Sequence, residues 1–243
     1  MTKQLLEHSI SGVEIQRHTK EAVIFGASGL IGNCCLRRLL VHQAYEKVIS
    51  IGRGPIKATH PKLIHYEVDM AQSENYRHLM RGDDLFICLG TTMKKAGSKE
   101  AFYEIDHNLI FNIAKTGSLQ GMNQLMLVSS IGADSRSLVF YLKVKGELED
   151  DVRRLPYWSI HIMRPSVLLG MREEKRVGEK IAGQLSKGLQ YFSGSIIGDL
   201  APVEADDVAK AMVQAAQGLR SGTHVHHGSE IVKLAKTFNG DEA

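Results

Sequence analysis

Tyr141 and Lys145 stand four apart in Tyr-Leu-Lys-Val-Lys, inside a stretch whose pattern is helical. That spacing puts both side chains on one helix face. Eleven residues before Tyr141, an apolar run ends in Ser129-Ser130. A phenol, an ammonium and a serine suit one chemistry in particular. When a hydride joins or leaves a carbinol carbon, a proton must join or leave its oxygen. A free tyrosine titrates near ~10, too high for a good base at neutrality. A lysine beside it favours the phenolate, and a reduction of roughly 3 units corresponds to about 4 kcal/mol. Ser130 can donate to the carbonyl oxygen and orient it. Taken alone, Tyr-x-x-x-Lys arises by chance in many helices, as a core tyrosine with a snorkelling lysine.

A second constellation changes that weighting. Gly26-Ala27-Ser28-Gly29-Leu30-Ile31-Gly32 follows a short apolar run and opens an amphipathic stretch. The three glycines serve a tight turn at Gly26, close approach of a diphosphate at Gly29 and helix packing at Gly32. Free amides of the first helical turn, near Leu30 and Ile31, would then face the anion, with Ser28 beside them. A Gly-rich βα turn without a ligand is the bland alternative; the placement between strand and helix favours a dinucleotide. No Gly-Lys-Ser/Thr is present, which argues against a nucleotide-triphosphatase loop. At the end of the second apolar run an NAD site wants a carboxylate. The chain instead has Gly52-Arg53-Gly54, with no Asp or Glu between Glu46 and Glu67. Arg53, with Lys57 as a second cation, suits a 2′-phosphate, so NADP is expected and NAD remains possible.

These groups need a scaffold that brings strand ends together. Strand-like runs recur at 22–25, 47–51, 62–68, 84–89, 124–130 and 159–164, with helical patterns at 30–42 and around 100–117, 138–155 and 204–218. That alternation predicts an α/β, doubly wound, Rossmann-like parallel sheet with helices on both faces. The 51–61 stretch reads as loop, so the crossover from the second to the third run lacks a full helix. Residues 1–21 read as an N-terminal extension and 22–243 as one domain. Within it, 171–200 is charged, then Gly-rich, and is expected to be a lid or substrate-side insertion.

The 243 residues carry 30 Lys+Arg and 27 Asp+Glu, with the signs interleaved, so no nucleic-acid footprint is expected. Three cysteines, Cys34, Cys35 and Cys88, cannot make a disulfide framework and point to a reducing compartment. No apolar run approaches the ~20 residues of a membrane span, and the first residues lack the apolar core of a signal peptide. The expectation is a soluble, cytoplasmic protein.

With turn, serine and Tyr/Lys pair together, the chain resembles the short-chain dehydrogenase/reductase superfamily, of the atypical or extended sort, from Ala22 onward. VSSIGADSRSLVFYLKVKGELE at 128–149 and IMRPSVLLGMREEKRVGE at 162–179 resemble the group related to the human Tat-interacting oxidoreductase-like protein and its bacterial NAD(P)-binding relatives. The resemblance implies cofactor contacts from Gly26, Gly29 and Gly32. It implies a catalytic serine at Ser130, with Ser129 adjacent, an acid/base at Tyr141 and its partner at Lys145, which also holds the nicotinamide ribose. It places Asp69 near the adenine, Gly90 along the cofactor and Pro165 on the nicotinamide side. For the asparagine found in the helix before the serine strand, Asn108 and Asn112 are the candidates, and neither aligns well.

Function follows at three levels. The leading expectation is an NADP-dependent oxidoreductase that reduces a small carbonyl compound, or oxidises the alcohol. The alternatives are a cofactor-binding regulatory or interaction protein, and an isomerase or dehydratase using bound cofactor. No metal is expected: His224, His226 and His227 fit a short surface strand better than a zinc pattern. Cys34 or Cys35 reads as a small core residue, Cys88 as core, and Lys94-Lys95 as a solvated loop or a lure for a phosphorylated ligand.

Overall fold

The structure is a computed structural model and describes residues 19–166, 168–169, 202–218 and 220–240. The expected lid at 171–200 and most of the 1–21 extension lie outside the described residues. Strand β1 (Lys20–Phe25) begins two residues inside that extension. It is followed by α1 (Leu30–Val41), β2 (Tyr45–Gly52), β3 (Leu63–Glu67) and β4 (Asp84–Ile87). After β4 come short helices α2 (Met93–Ala96) and α3 (Lys99–Tyr103), a π-helical turn at Glu104–Leu109, and α4 (Ile110–Leu119). The chain continues through β5 (Gln124–Val128), α5 (Phe140–Val152), β6 (Ser159–Arg164), the two-residue strands β7 (Leu168–Leu169) and β8 (Val203–Glu204), α6 (Ala205–Ala215), β9 (Gly222–His227) and α7 (Gly228–Lys236).

The main sheet has seven strands in the order β3-β2-β1-β4-β5-β6-β9. Every described pairing is parallel. Because both faces of a parallel sheet are covered, its central strands read as unbroken apolar runs. Ala22, Val23, Ile24 and Phe25 are all fully buried, and they divide between two cores. Ile24, Phe86, Met126 and Met163 pack with α1 and α6. Phe25, Ile87, Leu127 and Ile162 pack with α4 and α5. As the sequence predicts, loop rather than helix joins β2 to β3.

The amino end of the sheet is tied by a buried polar knot. Asp84, fully buried, accepts hydrogen bonds from Tyr45 Oη at 2.6 Å, Gln124 Nε2 at 2.9 Å and Lys20 Nζ at 3.1 Å. Lys20 and Gln124 also donate to the Ala216 carbonyl, just beyond α6, at 2.7 and 3.0 Å. Burial raises the Asp84 carboxyl above its ordinary range, although Lys20, Tyr45 and Gln124 pull it down.

At the other flank, the expectation of a surface strand for the late histidines fails in part. Strand β9 pairs with β6, and His226 is buried against His161. His161 Nδ1 lies 3.0 Å from His226 Nε2, and Ser159 Oγ lies 3.0 Å from His161 Nε2. Burial, then the neighbouring His226, His224 and Arg220, holds His161 down to about 3. Burial likewise takes His226 to about 4, against the pull of Glu230. Alternation along a strand placed His224 and His226 on one face, but the sequence does not show that β6 supplies a histidine to meet them. Cys88 is likewise less enclosed than a core residue: it is only partly buried, whereas Cys34 and Cys35 are buried. Helix α7 was not anticipated.

Candidate active site

The turn after β1 shows why glycine stands at each of its three positions. Gly26 takes a φ of +87°, and a Cβ there would sit 2.6 Å from the Cys88 carbonyl oxygen of the neighbouring strand end. At Gly32 a Cβ would lie 2.0 Å from the Gly26 carbonyl oxygen, so the first helical turn rests directly on the loop. A Cβ at Gly29 would lie 3.3 Å from that same oxygen. Gly29 caps α1 without a side-chain hydrogen bond, and no acidic residue occupies the first turn. Leu30 and Ile31 therefore present the positive end of a twelve-residue helix, with Ser28 and Gly29 exposed beside it. This cradle, between β1 and β4 where the strand order reverses, is where such sheets bind ligands. The residues present fit the diphosphate of a dinucleotide.

Arg53 follows directly on β2 and is exposed, with no partner among the described residues. Glu46 sits near the opposite end of β2, hydrogen-bonded by Thr19. Asp69 lies two residues past β3 and is exposed; its carboxylate accepts from the Ala71 amide at 3.0 Å. The nearby His65 bridges Ser50 Oγ and the Gly54 carbonyl, each at 3.1 Å, and so braces the loop that carries Arg53.

Ser130 lies just past the carboxyl end of β5, and Tyr141 and Lys145 lie in the first two turns of α5, the next helix. The two serines differ in what they touch. Ser129 Oγ donates to Glu149 Oε1 at 2.5 Å, and Glu149 is also held by Arg164 at 2.6 and 2.9 Å and by Arg153 at 2.8 Å. Among the described residues Ser130 Oγ has only a 3.3 Å contact with the Ile131 carbonyl. The Pro165 carbonyl accepts from the Ile131 amide at 3.0 Å, which fixes the end of β6 against the residue after Ser130. Tyr141, half-buried in the first turn of α5, packs its ring on Phe102 with centroids 5.6 Å apart. Glu149 is one turn beyond Lys145, so Tyr141, Lys145 and Glu149 form one stripe along α5.

Lys145 is 3% exposed, and its ammonium lies 2.7 Å from Asp106 Oδ1. Asp106 is 1% exposed, and its Oδ2 accepts from the Thr91 amide at 2.7 Å. Gly90 lies alongside: a Cβ there would stand 3.4 Å from Asp106 Oδ1 and 3.8 Å from Lys145 Nζ. Burial alone would depress the lysine, but Asp106, Tyr141 and Glu149 together raise it above its ordinary value. Sequence reasoning missed Asp106 and considered Asn108 and Asn112. The Asn108 amide instead donates to Glu104 at 2.7 Å, and its oxygen meets His107 at 3.0 Å. The π-helical turn is the reason, because it shifts which side chains face inward relative to 3.6-residue counting.

Among the described residues no three His, Cys, Asp or Glu side chains could together hold a metal ion, and no helix is long and apolar enough to cross a membrane.

The family model described as NAD(P)H-binding matches residues 26–218, from the first glycine of the turn to just past α6. Protein FMP52, mitochondrial, of Candida glabrata is 34% identical over 235 residues, covering 90% of this chain and 97% of that protein. Protein HTATIP2 of Rattus norvegicus is 34% identical over 173 residues, covering 70% and 71%. Among solved structures, the dTDP-glucose 4,6-dehydratase DesIV of Streptomyces venezuelae with NAD and TYD bound matches with a TM-score of 0.65 at 17% identity, covering 91% of this chain and 82% of that one.

The relatives correct the cytoplasmic expectation. FMP52 proteins from several yeasts are named mitochondrial. Cysteine usage reports only a reducing compartment, and the test for an apolar leader does not detect the amphipathic, basic segments used by mitochondria. Turn, sheet order and relatives agree on the rest: the chain is an NAD(P)-dependent enzyme of the extended, atypical short-chain dehydrogenase/reductase superfamily, related to HTATIP2 and FMP52.

Proposed function

We propose that the chain exchanges a hydride at a hydroxyl-bearing carbon of a small substrate and returns the cofactor to its starting state, as an isomerase or dehydratase does. The observation that carries the chemistry is the buried Lys145 ammonium beside Gly90 in the loop after β4, with Tyr141 one turn earlier on the same helix and Ser130 just past β5. The closed cycle is favoured over net reduction of a small carbonyl compound by the fold neighbours, which include epimerases and a dehydratase solved with NAD or nucleotide sugars. When bound, the nicotinamide supplies and takes up the hydride.

The chain's own groups do the rest. Tyr141 Oη carries the proton to and from the substrate oxygen. Lys145 stays cationic, favours the phenolate and holds the nicotinamide ribose. Ser130, rather than Ser129, donates to the substrate oxygen, because Ser129 is bound to Glu149. Gly26, Ser28, Gly29, Leu30, Ile31 and Gly32 hold the diphosphate, Gly90 and Pro165 flank the nicotinamide side, and Asp69 borders the adenine.

A second reading, NADP-linked net reduction, is favoured by Arg53, exposed and without a competing acid where a 2′-phosphate would lie. One experiment separates the two. Purified protein is incubated with NAD or NADP and a panel of UDP- and dTDP-sugars, following product and absorbance at the nicotinamide band together. Product without net change in the band supports the closed cycle. Steady loss of NADPH with an external carbonyl compound overturns it in favour of the reductase.

A further inference from the structure

We infer that Asp106 is the fixed counter-charge that keeps Lys145 an ammonium ion in a place water does not reach, so that the lysine grips the cofactor as a cation at neutral and mildly alkaline pH. Three features support the assignment. Both groups are almost wholly buried, 1% and 3% exposed, and 2.7 Å apart. Among the described residues Asp106 Oδ1 has no partner other than the lysine ammonium. The carboxylate is itself held rigid by the Thr91 amide at 2.7 Å, and the π-helical turn aims it inward.

The other charged and titratable groups facing Lys145 do not replace Asp106. Tyr141 and Glu149 lie on its own helix. Glu149 already answers Arg153, Arg164 and Ser129. From the loop after β4, Gly90 brings backbone and no charge. His107, next to Asp106, points its Nε2 to Asp151 at 3.2 Å. A buried lysine without its counter-ion loses as much as ~3–5 units, enough to deprotonate near neutrality. In the intact pair burial and Asp106 oppose each other, and the balance lies above the ordinary lysine value.

Asp106 is thus a positioning residue, and the inference rests on the proposed role of Lys145 at the cofactor. The test measures NADPH affinity of the free protein between pH 6.5 and 9. Wild type is expected to hold its affinity across that range. Asp106→Asn is expected to come closest to wild type at pH 6.5 and to lose affinity at least about tenfold more by pH 9, because each pH unit above the lysine's lowered pKa removes about tenfold of the charged form. Adding Lys145→Arg, a cation that does not titrate in this range, is expected to flatten the profile again. A role for Asp106 as mere cap of the Thr91 loop would weaken binding equally at every pH, and that result overturns the inference. Should Asp106→Asn fail to fold, wild type decides: a tenfold loss of its own affinity by pH 9 refutes a permanently charged lysine. Lys145→Ala separates the levels. If it binds NADPH as wild type does, the cofactor role of Lys145 falls and the inference with it. If it binds weakly while Asp106→Asn stays flat, only the inference falls.

Discussion

Two buried carboxylates pair with lysines at opposite ends of the same sheet, and they are built differently. Asp84, at the amino end, has three side-chain donors, from Lys20, Tyr45 and Gln124. Asp106, at the carboxyl end, meets one backbone amide through Oδ2 and one ammonium through Oδ1. The first is a fastener: Lys20 and Gln124 each donate both to Asp84 and to the Ala216 carbonyl. The second leaves its lysine beside a glycine backbone, facing the edge where ligands gather in parallel sheets. Buried charge alone does not mark a site. A charge at the carboxyl end, beside the strand ends, does.

The sharpest way to break this comparison is to strike each end and see which property fails. Tyr141→Phe removes one hydroxyl at the carboxyl end and keeps the ring on Phe102. Its turnover should fall ~10²–10⁴-fold, about 3–5.5 kcal/mol at the transition state. NADPH affinity and the unfolding midpoint should barely move. Single-turnover kinetics beside direct binding check this; an unchanged rate removes Tyr141 from the chemistry. Asp84→Ala should do the reverse. Taking one member from a buried charged knot costs about 3–5 kcal/mol of stability. Denaturant midpoints should drop while cofactor affinity, measured well below the transition, stays the same. If Asp84→Ala weakens cofactor binding as much as it weakens the fold, the two ends are not independent.

The histidine chain supplies a third buried set. Native His161 and His226 titrate at about 3 and about 4, below the ordinary ~6.5 of an unfolded histidine. The unfolded chain therefore takes up protons first as pH falls. Their contribution is fully present well above about pH 6.5 and is lost progressively toward pH 4, with about 2–3 kcal/mol gone per histidine by pH 4.5. Urea unfolding at pH 7 and 4.5 should show a smaller acid loss for His226→Gln than for wild type. Equal losses would mean the pair carries no linkage. The smallest effect belongs to Arg53→Ala, which should remove most of any preference for NADPH over NADH, about 1.5–3 kcal/mol for a lost charge-assisted contact. Titrating both cofactors into both proteins decides it, and equal wild-type affinities would sink the 2′-phosphate role.

What the sequence made legible was local. The glycine spacing between an apolar run and an amphipathic helix located the turn, because a Cβ at Gly26 or Gly32 collides with backbone nearby. The Tyr141–Lys145 pair was readable because four residues make one helical turn. The strand runs gave the sheet, since a central parallel strand hides both faces. Asp106 was not readable: 39 residues separate it from Lys145, and the π-helical turn defeats the spacing that would point it inward. Nothing local distinguishes Ser129 from Ser130 either; Glu149, which separates their roles, lies a whole helix away. His161 and His226 look like unremarkable strand residues until β6 and β9 pair.

The Asp84 knot also bears on how the molecule is born. Its last acceptor is the Ala216 carbonyl, 196 residues beyond Lys20 and 92 beyond Gln124. The partly buried Lys20 ammonium therefore gains its second acceptor only after residue 216 has left the ribosome. At roughly 5–20 residues per second, that leaves a nascent sheet waiting ten seconds or longer with its amino edge unfastened. Parallel pairing is already slow because distant segments must meet first. A chain stopped before Ala216 would lack the carbonyl that receives both Lys20 and Gln124, while the three donors to Asp84 would remain.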